Sequence, residues 1–257
     1  MPKIVLITGA SRGIGREFAE LYAAEGSTLL LVARTSTDLR TVKKELEERY
    51  KVKVVAFAMD LAKPGAAKAL HAKLAKVNVD VLINNAGIGK YGESVEMDVI
   101  EVERMLQLNV ATLTELCVLF GKDFKQRKTG AILNVASTAA FFPLPYLGAY
   151  AASKAYIVSF SEALAKELED FGVTVTCVCP GTTRTDFFKV AGRPELGEDK
   201  GLMSAQEVAR IGKRALEEKK LTVLMSKEGK RWAFRARLLP RRWVAAGAKR
   251  MMKAWLG

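Results

Sequence analysis

The chain has 257 residues, 49% of them hydrophobic and 27% charged, with a formal net charge of +13 at neutral pH. This composition excludes disorder, and the length suffices for one large domain with a two-sided core. Three cysteines, an odd count in apolar surroundings, exclude a secreted disulfide framework and point to a reducing compartment.

The opening MPKIVLITGASRG reaches glycine before an apolar leader could develop, and no run of eighteen apolar residues follows. A cytoplasmic protein is therefore expected, with at most a peripheral membrane contact. Residues Lys3 to Thr8 read as a strand that ends in TGASRGIG and leads into a helix whose apolar side carries Phe18, Ala19, Leu21 and Tyr22. A second strand, Thr28 to Ala33, precedes a helix from Ser36 to Tyr50 with Ser36 or Thr37 as its cap. Val52 to Ala58 is a third strand and Pro64 to Lys76 the next helix, with proline in its first turn. Val79 to Ile83 is a fourth strand, ending in NNAG.

A long helix from Asp98 to Lys125 leads to a fifth strand, Ala131 to Val135. The stretch NVASTAAFFPLPYLGAYAASKA follows, then a helix from Ala149 to Asp170. Val173 to Cys179 is a sixth strand closed by Pro180 and Gly181. Thr182 to Gly201 lacks a period and reads as a mobile excursion. Ser204 caps a helix through Glu217, and Leu221 to Met225 is a seventh strand. Continuous apolar strands alternating with helices imply a doubly wound α/β fold, a parallel seven-stranded sheet with helices on both faces. The expected division is an α/β domain over 1–226 and a basic amphipathic helical extension of it over 227–257. That tail holds ten Lys or Arg against one acid, Glu228, so +9 of the +13 charge lies there, together with Trp232, Trp243 and Trp255.

No metal site is expected. The C-x-C pair Cys177 and Cys179 is expected to send its thiols to opposite faces of a strand, and the single histidine, His71, is distant. Core packing is the expectation for these two and for Cys117.

Two constellations carry chemistry. Gly9, Gly13 and Gly15, spaced G-x-x-x-G-x-G, sit where the first strand turns into the first helix. There glycine permits close backbone approach, and the helix N-terminus offers free N–H groups and a positive dipole to a pyrophosphate. Tyr150 and Lys154 lie four apart, on one face of a helix, so their polar ends can reach a common point. An ammonium beside a phenol favours the phenolate and so brings proton exchange nearer neutral pH. An ordinary helix with an exposed lysine would give the same spacing.

With TGASRGIG, NNAG at Asn84 to Gly87, Asn109, Ser137, Y-A-A-S-K at Tyr150 to Lys154 and PGTTRT from Pro180, the chain resembles the short-chain dehydrogenase/reductase family over Lys3 to Met225. Through NVASTAAFFPLPYLGAYAASKA and the FFKVAG after PGTTRT it also resembles the DltE-type or hydroxysteroid-dehydrogenase-like subgroup. The resemblance implies a Rossmann-type oxidoreductase in which Tyr150 exchanges a proton with a carbonyl oxygen and Ser137 hydrogen-bonds that oxygen. Lys154 would bind the nicotinamide ribose and keep the tyrosine acidic, and Asn109, at a bend in the long helix, would hold a relay water. Gly9, Ser11, Arg12, Gly13, Ile14 and Gly15 would cradle the cofactor's phosphates. Asp60 and Leu61 would flank the adenine, and Asn85, Ala86, Gly87, Pro180, Gly181, Thr183 and Thr185 would line the ribose and nicotinamide along with Tyr150 and Lys154.

Arg34, at the end of the second strand, stands where an acid would select NAD, and with Ser11 and Arg12 it predicts NADP(H). Asp38 is expected to lie too far along to replace that acid. Ser137, Phe142, Tyr146 and Phe187 are the candidate substrate residues, and the apolar runs Phe141 to Leu147 and Phe187 to Phe188 favour a hydrophobic ketone or aldehyde. Packing beneath the loop or in a subunit contact is the competing use of these aromatics. The family pattern implies a homodimer through Glu103 to Phe124 and Ala149 to Glu169, with a tetramer less expected because the basic tail replaces the usual ending. For the tail itself three roles stay open: covering the substrate cleft or sheet edge, lying on an anionic membrane, or touching nucleic acid, the last least favoured. The alternative to an enzyme is a cofactor-binding scaffold whose tail mediates membrane or nucleic-acid binding.

Overall fold

The computed structural model describes residues 2–192 and 202–256. The β-branched run at the start forms β1 (Ile4–Thr8), and α1 (Gly13–Ala24) follows the glycine turn. Next come β2 (Thr28–Ala33), α2 (Ser36–Tyr50), β3 (Val54–Ala58), α3 (Ala66–Lys73) and β4 (Val81–Asn84). Neither Ser36 nor Thr37 caps α2. The cap position falls to Thr35, which makes no side-chain capping bond.

The expected long helix is interrupted. Asp98 caps α4 (Val99–Leu106) through Ile100 N, and a π-helical turn (Gln107–Thr112) then joins it to α5 (Leu113–Arg127). After β5 (Gly130–Val135) come α6 (Gly148–Leu168) and β6 (Val173–Cys179). The segment expected to be a mobile excursion holds regular structure in its described part. It forms β7 (Thr183–Arg184), which pairs in parallel with β8 (Met203–Ser204), and the short α7 (Phe187–Val190). Residues 193–201 of that segment lie outside the described residues. Ser204 accepts from Glu207 N to cap α8 (Ala205–Glu217), and β9 (Thr222–Leu224) is followed by α9 (Lys227–Leu238) and α10 (Arg241–Leu256), separated at Pro240.

Seven strands pair in parallel in the order β3-β2-β1-β4-β5-β6-β9. Alternation of side chains explains why both faces are apolar. Leu6, Leu30, Val32 and Leu82 face one buried layer with Phe120 and Phe124 of α5, and Val5, Ile7, Leu29 and Leu31 face the other with Phe18 and Tyr22 of α1. The chain leaves β1 toward β2 and β3, then returns to add β4 on its other side. The carboxyl ends of β1 and β4 therefore flank the crevice where the winding reverses, the place where such sheets bind ligands.

The expectation that the two C-x-C thiols diverge is incorrect. Residues two apart on a strand face the same way, and Cys177 and Cys179 share one buried layer with Cys117. No cluster of three or more metal-ligating side chains occurs among the described residues.

Phe124 is fully buried, tilted against Phe120 at 6.4 Å. Phe124→Ala is expected to cost about 3–5 kcal/mol in urea unfolding with an unchanged slope. A loss below about 1 kcal/mol would show that the layer under α5 can collapse to fill the space.

Candidate active site

The turn after β1 is built around absent side chains. Gly9 has φ of 66°, and a methyl group on Gly15 would collide with the Gly9 carbonyl oxygen and lie 2.5 Å from Asn85 Nδ2. Asn85 is the clamp: its Nδ2 donates to Thr8 O at 2.9 Å and to Gly9 O at 3.2 Å. Thr8 completes it, since its Oγ1 accepts from the backbone N of Asn85 and of Ala86, both at 3.0 Å. The end of β4 thus holds the turn after β1. α1 begins at Arg12 with no side-chain cap and no acid in its first turn. Its N-terminal N–H groups and positive dipole end are left for a ligand in the cleft lined by Gly13 and Ile14.

On the far side of β4, α6 carries Tyr150 and Lys154, both buried. Lys154 Nζ donates to Val135 O at 2.8 Å and lies 5.7 Å from the centre of the Tyr150 ring. Ser137, just past β5, accepts from Ala139 N at 3.1 Å, which fixes its hydroxyl oxygen at the start of a 3-10 turn. Burial pushes the Tyr150 phenol up to about 12, opposed by its hydrogen bond with Ser137. Lys154 is pushed the other way, to about 8, by desolvation, against the thiols of Cys177 and Cys179. The phenol is therefore raised, not brought toward neutrality as the tyrosine–lysine spacing suggests, with desolvation as the largest cause.

Asn109 sits in the π-helical turn, where such turns re-aim side chains. Its Oδ1 accepts from Ile88 N at 3.0 Å, while its Nδ2 donates to Ile88 O at 2.8 Å and to Ser153 Oγ at 3.1 Å. It therefore braces the strand end against α6. A side chain at Gly87 would meet both Asn109 Oδ1 and Lys154 Nζ, so glycine keeps them near each other.

Several supporting residues went unnoticed in the sequence. Asn84 Nδ2 donates to Asn134 Oδ1 at 2.9 Å, Asn134 Nδ2 to Ser161 Oγ at 2.9 Å, and Ser161 Oγ to Ile157 O at 2.6 Å. This buried chain fixes α6 to β4 and β5. Adjacent asparagines in an apolar strand end are a visible signal for it. Thr8 and Ser153 are the other two, each inside a motif already recognised.

A single cleft of about 970 Å³ joins the two constellations, within the range of sites that enclose a cofactor and a small ligand. Gly9, Ser11, Arg12, Gly13 and Ile14 line one end, and Arg34, Asp60 and Leu61 the edge beside β2 and β3. Asp38 also lines the cleft. Asn85, Ala86, Gly87, Pro180, Gly181, Thr183 and Thr185 form the middle, and Ser137, Tyr150 and Lys154 the inner wall. Gly15 and Asn109 stand behind this surface as supports.

Phe142 and Phe187 belong to the apolar end, the latter with its ring 5.3 Å from that of Tyr150. Tyr146 does not line the cleft. It stacks on Tyr91 at 6.1 Å and adopts φ of 66°, a strained backbone for a bulky residue. The tail closes this end: Trp232 stacks on Phe142 at 5.1 Å, and Met251 and Met252 line the cleft. Covering the cleft, one of the three roles left open for the tail, falls to Trp232 and to two methionines that nothing in the sequence singled out.

A family model described as short chain dehydrogenase matches residues 3–195. The very-long-chain 3-oxoacyl-CoA reductase of Bos taurus is 30% identical over 189 residues, 72% of this chain and 61% of that protein. Among solved structures, a short-chain dehydrogenase from Sphingobium yanoikuyae in complex with NADPH is 31% identical, covering 99% of this chain and 95% of its own, with a TM-score of 0.84. A bulky-bulky ketone specific alcohol dehydrogenase from Comamonas testosteroni is 28% identical over 93% of this chain and 92% of its own, with a TM-score of 0.80. The chain therefore spans less than two thirds of the curated relative from Bos taurus and nearly all of the two solved proteins. The family match agrees with what the cleft shows, and the chain belongs to the short-chain dehydrogenase family.

Proposed function

We propose that this chain is an NADP(H)-dependent oxidoreductase that interconverts a carbonyl and an alcohol, acting as a reductase on a hydrophobic ketone or aldehyde. The observation that carries this is the meeting of half-buried Ser137 with buried Tyr150 and Lys154 on one wall of a cleft that runs from the glycine turn to an apolar end. The cradle fits a dinucleotide, because the space at Gly9 and Gly15 admits no side chain and the uncapped start of α1 offers N–H donors. Arg34, Arg12 and Ser11 at its edge suit a 2′-phosphate. The NADPH complex of the Sphingobium protein supports that choice, and the ketone named for the Comamonas protein supports the substrate class.

The cofactor supplies the hydride. The chain's own groups handle the proton. Ser137 donates a hydrogen bond to the substrate oxygen, and the Tyr150 hydroxyl delivers its proton to that oxygen as negative charge develops there. Lys154, held by Val135 O, places positive charge behind the tyrosine and favours the resulting phenolate. Asn109 is a positioning residue through Ile88 and Ser153. The binding-scaffold alternative draws no support from a site in which these groups are present together on one wall.

The same reading includes a cytoplasmic homodimer through α5 and α6, whose outer faces expose Val118 and Tyr156. A sedimentation mass of one chain at micromolar concentration would remove the dimer. For cofactor choice, Arg34→Ala is expected to lower kcat/KM with NADPH by about 10- to 100-fold and to leave NADH nearly unaffected, as for loss of a charge-assisted contact. Equal or better kcat/KM with NADH in the wild type would refute the role of Arg34.

Reduction needs the phenol protonated and the lysine charged. With the phenol near 12 and the lysine near 8, the first holds throughout the neutral range, and the second is lost as pH rises through about 8. In an NADPH-oxidation screen over ketones, aldehydes, 3-oxoacyl thioesters and steroids, kcat/KM should be level below pH 8 and fall above it. Tyr150→Phe should lose at least about 100-fold. Activity within a few-fold of wild type in that variant would overturn the mechanism.

A further inference from the structure

The C-terminal helices have an outer surface that the reaction does not use. Their inner side is spent on the cleft and core, with Ala233, Val244, Ala248 and Met252 buried. Outward, around the corner at Pro240, stand Phe234 at 64% exposure, Leu238 at 66%, Leu239 at 42% and Trp243 at 58%. Phe234 and Leu238 are one helical turn apart and so form a stripe on α9, which Leu239 and Trp243 extend toward α10. Large apolar groups clustered in this way mark an interaction surface rather than ordinary scatter.

The cations around the stripe define its partner. Lys230, Arg231, Arg235, Arg237, Arg241 and Arg242 flank it, and Glu228 is the only acid from residue 227 onward. Among the described residues, none of the ten tail cations forms an ion pair with a carboxylate. Arg242 lies 5.9 Å from the centre of the Trp243 ring, an arrangement that joins charge to an aromatic edge. Nucleic acid would neutralise the charge but leave the stripe of Phe234 and Leu238 in water. An anionic bilayer satisfies both: lipid phosphates meet the cations, while the apolar groups enter the headgroup boundary. No helix among the described residues is long and apolar enough to cross a membrane, so such a contact would lie in the membrane plane.

We infer that the α9–α10 corner docks on an anionic phospholipid surface. Trp232 and Arg231 of α9 also line the cleft, so docking sets the cleft's apolar end beside the lipid. The docking surface stands independently of the reaction catalysed.

The test is co-sedimentation of the full chain with vesicles of phosphatidylcholine alone or mixed with phosphatidylglycerol, at two salt concentrations. Binding to the anionic vesicles should be at least about 10-fold tighter than to the neutral ones and should weaken with salt. A triple variant, Phe234→Ser with Leu238→Ser and Trp243→Ser, leaves the charge unchanged and should lose about 10-fold, as should Arg241→Gln with Arg242→Gln. Both act on exposed residues, and unchanged thermal unfolding of either variant keeps the comparison valid. Equal binding to the two vesicle types, or full binding by both variants, would overturn the inference. So would a protein that stays in the supernatant with vesicles yet binds a DNA duplex regardless of the apolar substitutions.

Discussion

The close contact between the turn after β1 and the end of β4 is the constraint on which the site depends. Gly9 and Gly15 leave no room between their backbones for a Cβ, and Asn85 fills the remaining space with a side-chain amide that bonds two carbonyl oxygens of the turn. Thr8 returns the favour through two backbone N–H groups. The result is a helix start whose donors are held in place before any ligand arrives, which reduces the ordering cost of binding. The same strand end continues through Ala86 and Gly87 to the lysine and Asn109. One packing contact thus sets the separation of the cofactor cradle from the catalytic wall.

The catalytic wall is held by a second, wholly buried device. Asn84, Asn134 and Ser161 form a hydrogen-bonded chain between the sheet and α6, and the π-helical turn aims Asn109 at Ile88 and Ser153. A buried network of this kind costs stability if any member is left unpaired, and it fixes one arrangement of α6 when satisfied. That arrangement desolvates Tyr150 and Lys154 together. Desolvation moves their proton affinities apart, the phenol upward and the ammonium downward. In the proposed reaction, burial therefore acts on the proton donor as well as on the lysine.

Much of this was legible in the chain. The strand and helix alternation, the glycine turn and the tyrosine–lysine spacing are local patterns, and local patterns survive folding. What depended on tertiary contact was harder to read. The break at Gln107 to Thr112 has no proline or glycine to announce it, because it arises where Asn109 is drawn to Ile88. Tyr146 was assigned to the substrate wall by its neighbours in sequence, whereas a left-handed backbone turns it onto Tyr91. The phenol's upward shift could not be seen from spacing, since burial is a property of the whole fold. Trp232 reaches the cleft to stack on Phe142, 90 residues earlier in the chain, and the two methionines join it from still farther along.

Closure of the cleft by the basic tail gives this chain an apolar end built partly from its own C-terminal helices, while their outer corner keeps its cations and aromatics for another surface. The first of these serves the proposed reaction only if the cradle is the cofactor site. Calorimetric titration of NADPH into wild type, Gly15→Ala and Tyr150→Phe, each shown to be folded by circular dichroism, tests that most directly. The account predicts that Gly15→Ala weakens binding by at least about 10-fold, or about 1.4 kcal/mol, while Tyr150→Phe binds nearly as wild type. NADPH bound equally well by Gly15→Ala would contradict it.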